Sequence, residues 1–461
     1  MRKERDSLGE MELPDDAIYG VQTKRAMDNF RASGLPARIE MVRAYVTVKK
    51  AAAMANMEIG DLEEEIGIAI VTACNEILDG RHMDQFPVDV FQAGAGTSFN
   101  MNVNEVVCNL ALEIMGFSRG DYRIIGPNDH VNMSQSTNDT YPTASHMAIL
   151  DKGDELLREL DALSSSFEKK GIELRQVAKS GRTHLMDALP IRMGNEFGAY
   201  ASAVRRARGR IGQRLDDLLE LSIGGSAVGT GANTGNGYRN LVIENLSMLS
   251  HRLFISARDP FEALQSRSQM LAFSSSLREL ALELIRIAND LRLLNSGPTT
   301  GLAELTLPAV QPGSSMMPGK VNPVMAECLD MVCFQVLGND ATTVMAAQAG
   351  QLELNVMTPV MTYDILESLN LLIRYLPDFR ERCVDGITAN TARCASYIET
   401  NPILATLLSE RIGYLRAAEL VKESTETGVS VPALAVKKKM LTKKEAKELF
   451  DPIRMSLGKY D

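Results

Sequence analysis

Along most of the 461 residues, apolar positions recur with the period of a helix. Leu277, Leu280, Ala281, Leu284, Ile285, Ala288 and Leu291 follow the i, i+3, i+4, i+7 spacing of one helix face. Leu282, Ile287 and Leu293 make the other side apolar too. A helix that is apolar nearly all round must be covered on every side, so this segment is expected inside a bundle or at an interface between subunits. Leu156, Leu157, Leu160, Leu163 and Phe167 predict a second helix, and Phe197, Tyr200, Ala201, Val204, Ile211, Leu215 and Leu218 a third. Helices of roughly 20 to 30 residues are long for a globular protein, and several together predict an elongated bundle. The expected fold class is mainly α, built on a central long-helix bundle.

Three stretches interrupt this pattern: Gly94 to Asn100, Gly224 to Gly237, and Gly313 to Pro323. Pro318 and Pro323 cannot both lie in a regular helix, so the third is a loop of some length, and long loops in compact domains are usually functional. The second superficially matches a dinucleotide fingerprint. Its Gly229-Thr230-Gly231 is followed by Gly235, one residue too late, and no apolar β-run leads into it, which favours a tight connection between helices.

Charge and composition narrow the chemistry. A formal net charge of −10 argues against a nucleic-acid partner, because such proteins concentrate Lys and Arg on one face. Lys437, Lys438, Lys439, Lys443, Lys444 and Lys447 form the one dense basic run, but Glu445, Glu448 and Asp451 interrupt it at helical spacing, which predicts a solvated helix face. The six cysteines lack C-x-x-C pairing and sit in apolar stretches, as reduced core thiols of a cytoplasmic protein would. The charged N-terminus leads into no signal-like apolar stretch, and no run of about 18 apolar residues suggests a membrane span. The five histidines show no ligand spacing, so neither a metal nor another cofactor is expected.

Four segments are rich in hydroxyl and amide side chains: Thr97-Ser98-Phe99-Asn100, Ser134-Gln135-Ser136-Thr137-Asn138-Asp139, Arg182-Thr183-His184, and the Ser314–Asn322 loop. Each alone fits helix capping or turn formation. Together with Lys320 and His184 they fit a small anion with two carboxylates, and a reaction in which one carboxylate gains charge, since donors aimed at developing charge are usually the largest catalytic contribution.

At Gly313-Ser314-Ser315-Met316-Met317-Pro318-Gly319-Lys320-Val321-Asn322-Pro323 the chain resembles the signature loop of the aspartase/fumarase superfamily, G-S-S-x-M-P-x-K-x-N-P. Gly94–Glu105 and Pro127–Asp139 are similar to the superfamily's two other characteristic regions. The resemblance runs from about Leu8 to about Ala389 and more weakly beyond. It implies an N-terminal mostly helical domain over 1–138, a central long-helix bundle over 139–392 carrying loop 313–323, and a small C-terminal helical domain over 393–461. It also implies a homotetramer whose active sites are shared between subunits.

The resemblance further implies that Ser314 removes the proton next to one carboxylate. A free serine is a poor base, so its own loop N–H groups and Lys320 must activate it. Thr97, Ser98, Ser136, Thr137 and Ser315 would hold the enediolate-like carboxylate, and Lys320, Asn322 and Thr183 the other. Asn138 and His184 would face the leaving group, His184 paired with Glu327, and Asn100 counts among the substrate-binding side chains. Thr137 and the stretch Ala349–Met357 are aspartase-like, which favours elimination of ammonia from L-aspartate. Thr299 stands where the family usually has arginine, and Ser409-Glu410-Arg411 where N-P-H is common. Hydration and dehydration of malate, elimination from another β-substituted succinate, and an inert structural homologue therefore stay open.

Overall fold

The structure is a computed structural model that describes Met1–Leu457. The hairpin of β1 (Arg2–Asp6) and β2 (Gly9–Leu13) leads into helices α1 (Val21–Asn29), α2 (Ile39–Ile59), α3 (Glu64–Leu78) and α4 (Thr97–Ile114). After α5 (Thr137–Glu173) comes a second antiparallel hairpin, β3 (Ala178–Thr183) and β4 (Met186–Arg192), then α6 (Met193–Asp217). The two-residue strands β5 (Glu220–Leu221) and β6 (Ile255–Ser256) pair in parallel around α7 (Tyr238–Ser250). A single turn, α8 (Glu262–Gln265), precedes the long helices α9 (Ser268–Leu294), α10 (Val324–Gln348) and α11 (Thr358–Arg382). β7 (Leu305–Thr306) pairs antiparallel with β8 (Thr388–Ala389), and short helices over Thr391–Met455 finish the described chain.

Mainly helical architecture is what the apolar period predicts. Leu156, Leu160, Leu163 and Phe167 of α5 and Phe197, Val204 and Ile211 of α6 are fully buried. The chain between β7 and Pro323 is irregular, and α10 begins at Val324 directly after the second proline. Cover on every side does not hold for α9 within one chain. Leu277, Leu280, Leu284, Ile287 and Leu291 are buried, but Leu282 is 52% and Leu293 41% exposed. Apolar side chains of that size left in water on one helix fit the interface alternative of the sequence reading. The basic run near the C-terminus is exposed as expected, but on two short helices, Val431–Lys437 and Lys443–Leu449, because Lys439 turns left-handed between them.

The chain divides into two compact units. The first comprises Met1–Leu157, Gly209–Glu279 and Gln335–Leu371. Its centre is an edge-to-face cluster of Tyr45, Phe99 and Tyr141, which ties α2 to the first turns of α4 and α5. Each such ring pair contributes about 0.5–1.5 kcal/mol beyond its burial. The second comprises Arg158–Arg208, Leu280–Phe334 and Leu372–Asp461, of which Asp461 and its three predecessors fall outside the described residues. It holds the aromatic trio Phe167, Phe197 and Tyr200 and a separate C-terminal core that includes Leu404, Leu408, Leu420, Leu434 and Phe450. No described helix is long and apolar enough to cross a membrane.

Candidate active site

The sequence-predicted residues fall into three local groups. The first belongs to the starts of α4 and α5. Gly96, at φ +87, turns the chain into α4, and a Cβ there would run into the Tyr141 ring, so glycine is required by both conformation and space. Ala95 N–H donates to Val356 O at 2.8 Å and fixes the turn. Thr97 is thus exposed at a helix N-terminus, where free N–H groups and the helix dipole favour an anion. Ser98 is half-buried beside it. Both line a cavity of about 650 Å³ together with Arg25, Met101, Asn128 and Asp129.

Asn100 is buried one turn further on, and its Nδ2 donates to Thr137 Oγ1 at 2.9 Å, joining the start of α4 to the start of α5. Because that oxygen accepts from Asn100, the Thr137 hydroxyl proton is left to donate elsewhere. Ser136 is arranged the same way, its Oγ accepting from Asn138 N–H at 3.2 Å. Asn138 spends its Nδ2 on Ala227 O at 2.8 Å, so the atom it has left to offer is the acceptor Oδ1.

Two charged residues outside the predicted set support this group. Asp139 is fully buried and accepts from the N–H groups of Ser136 (3.0 Å), Gly224 (3.0 Å) and Ser226 (2.8 Å). Burial pushes its carboxyl up to about 7 despite those donors. Lys49 of α2 is also fully buried, and its Nζ donates to Asn132 Oδ1 and Gln135 Oε1, both at 2.9 Å. No described carboxylate lies within ion-pair distance of it, and burial pulls its ammonium down to about 7. Asn132 Oδ1 accepts from Asn100 and Asn104 as well, at 3.2 Å each, so one amide oxygen gathers the network behind Thr137. A signal for Lys49 was available: it lies four residues after Tyr45 and seven before Asn56, on the buried face of an Ala-rich helix.

The second group is the tip of the β3–β4 hairpin, which the helical period hides. Thr183 ends β3, and His184 and Leu185 form a two-residue turn at φ +56 and +60. Such a turn matches the twist of a hairpin, but its residues are normally Gly or Asn, so two other side chains there store strain. Thr183 and His184 are both exposed.

The third group is the proline-bearing loop. Its neck is closed by Gly313 N–H to Lys320 O at 2.8 Å and by Asn322 Nδ2 to Gly313 O at 2.6 Å. Ser314 Oγ accepts two backbone N–H groups, Met316 at 3.1 Å and Met317 at 2.9 Å. Donors aimed at that oxygen stabilise it as an alkoxide, which is the activation a serine base requires. Ser314 itself is half-buried, whereas Ser315 and Lys320 are exposed. Glu327 lies in the first turn of α10. Among the described residues of one chain, His184 and Glu327 form neither a hydrogen bond nor an ion pair, and no hydrogen bond joins the hairpin tip to the loop.

Comparison with known proteins covers nearly the whole chain. The lyase family matches residues 9–338, and the fumarase C C-terminus matches residues 404–456. A protein named aspartate ammonia-lyase from a Bacillus species is 45% identical, over 99% of this chain and 97% of its own length. The crystal structure of a fumarate lyase:delta crystallin from Brucella melitensis bound to cobalt shares 47% identity with a TM-score of 0.97, covering 99% of this chain and 100% of that one. A recombinant class II fumarase from Schistosoma mansoni is 35% identical with a TM-score of 0.95, covering 99% of each chain.

Proposed function

The chain belongs to the lyase family, and on that premise we propose that it is a carbon–nitrogen lyase that eliminates ammonia from L-aspartate to give fumarate. The observation that carries the chemistry is the pair of backbone N–H groups on Ser314 Oγ. In this reading Ser314 takes the proton from the carbon next to one carboxylate, and the electron pair moves into that carboxylate as an enediolate-like group. The C–N bond then breaks, the double bond forms, and the amine departs. Thr97, Ser98, Ser136, Thr137 and Ser315 hold the doubly charged group; at Ser136 and Thr137 the filled acceptor sites favour donation outward. Lys320, Asn322 and Thr183 hold the other carboxylate, with Asn100 supporting Thr137 from behind.

The leaving group is read from Asn138 together with the relatives. With its Nδ2 on Ala227 O, Asn138 offers an acceptor, the complement of an ammonium-type group with several N–H donors. His184, paired with Glu327, receives the leaving group from the other side. That pair is not closed within one chain, which supports sites assembled from segments of three subunits of a homotetramer. Exposed apolar side chains on the long helices point the same way: Leu282 and Leu293 of α9, and Met331, Phe334 and Met345 of α10. Six free cysteines, five of them buried, suit the cytoplasm. The test is formation of fumarate, followed by absorbance, from L-aspartate, malate and a panel of β-substituted succinates. Aspartate is expected to be the best substrate; turnover of malate without turnover of aspartate would overturn the proposal.

A further inference from the structure

Behind the hairpin that carries Thr183 and His184 lies a buried chain of alternating charges. Arg182, the residue immediately before Thr183, donates from Nη1 to Glu304 Oε1 at 2.9 Å. Glu304 is wholly buried, and Lys179 Nζ lies 3.1 Å from its other oxygen, as an ion pair without hydrogen-bond alignment. Lys179 in turn donates to Glu196 Oε1 at 2.7 Å. Two cations and two carboxylates thus balance in the interior, as buried charges must. The Glu304 backbone is fixed on both sides, its N–H on Leu294 O at 2.9 Å and its carbonyl accepting from Asn390 N–H at 2.9 Å.

The hairpin depends on an external fixture. Its ladder shifts register between Ser180 and Arg182 before pairing resumes at Arg182–Asp187 and Thr183–Met186, so the paired tip sits beyond a bulge that re-aims it. Its turn is built from two left-handed residues with side chains, a conformation that persists only where surrounding contacts determine it. Asn401 pins the same bulge by donating to Ser180 Oγ at 2.9 Å and Ala188 O at 2.8 Å. The Arg182 guanidinium also lies 5.3 Å from the centre of the Tyr397 ring, which restricts it further.

We infer that Glu304 is a positioning residue for the reaction, acting through Arg182 to hold Thr183 and His184 at the height and angle at which they meet substrate. The inference rests on the reading of Thr183 and His184 as substrate-facing residues. A misplacement of about 1 Å at such residues lowers a rate by up to about 10²-fold.

The test is a double-mutant cycle on the assembled enzyme, with Glu304→Gln combined with Thr183→Ala and with His184→Ala, and kcat and KM for aspartate measured per folded protein. Glu304→Gln alone is expected to lower kcat/KM by about 10- to 100-fold. That loss should shrink to a few-fold or less once Thr183 or His184 has been removed, because the residues being positioned are gone. A purely structural Glu304 would give the same loss in every background, and that additive result overturns the inference. Arg182→Lys, which conserves the charge, provides the same cycle if Glu304→Gln does not fold. Thr183→Ala and His184→Ala that each retain wild-type kinetics would instead overturn the underlying reading of the hairpin.

Discussion

In the proposed reaction, the starts of α4 and α5 and the loop from Gly313 to Pro323 hold their side chains by opposite means. In the first region Thr137 and Ser136 are backed by a polar network: Asn100 behind Thr137, Asn132 behind Asn100, Lys49 behind Asn132, and Asp139 under the turn of Ser136. In the second, Ser314 has only the backbone of its own loop behind it, and Met316, Pro318, Gly319 and Lys320 are exposed. The contrast separates two tasks. On the proposed reading, groups that must not move as charge develops are fixed by burial, whereas the serine base carries its two N–H donors within its own loop.

The contrast breaks most severely at Asp139. Asp139→Ala strips the acceptor from three N–H groups, two of them in the Gly224–Ser226 turn, and is expected to cost about 2–4 kcal/mol of stability along with activity, visible as a lower unfolding temperature. Equal thermal stability would show that the first region is not held from below. A smaller and mainly kinetic effect is expected from Thr137→Val, which keeps the shape, removes one donor and leaves Asn100 Nδ2 its second acceptor, Asn132 Oδ1 at 3.2 Å. kcat/KM for aspartate should fall on the order of 10²-fold with little change in unfolding temperature.

Lys49 sharpens the comparison through pH. Burial depresses its folded value to about 7, below the ordinary 10.5, so the unfolded chain binds its proton more readily than the folded one. Its contribution to stability is then fullest above pH 10.5 and is lost as pH falls toward about 7, below which no more is lost. The stability difference between wild type and Lys49→Met, measured by urea unfolding, should narrow from pH 10 to pH 7. A constant difference would mean that Lys49 is not desolvated. The smallest effect is expected at Gly319, at φ +78 with open space around its missing Cβ. Gly319→Ala strains the loop by about 1 kcal/mol, roughly a fivefold loss in kcat/KM, without disturbing the first region.

The two regions also differ in how legible they are in the sequence. The loop announces itself because prolines and glycines act locally: Pro318 and Pro323 exclude helix, and α10 starts where the second proline permits. Long helices are legible for the same reason, since the period of Leu277–Leu291 is a property of neighbouring residues. The support behind Thr137 is not, because Lys49 meets Asn132 across 83 residues and no local rule pairs them. The β3–β4 hairpin was hidden too. Its strands are short, polar and interrupted by Pro190, and its turn lacks the Asn-Gly signal, so Thr183 and His184 were found as chemistry without their structure. Exposed apolar residues on α9 show the limit of periodicity, which marks a side to be covered without saying whether the cover is the same chain or another copy.

The most direct measurement is aspartate turnover by Ser314→Ala beside wild type, both verified as folded by circular dichroism and thermal unfolding. Ser314 lies in an open loop whose N–H groups water can satisfy, so stability should change by no more than about 0.5 kcal/mol. With the base removed, kcat should fall by about 10²- to 10⁴-fold. A folded Ser314→Ala protein that makes fumarate within about threefold of the wild-type rate, far less than general-base catalysis contributes, would contradict the account.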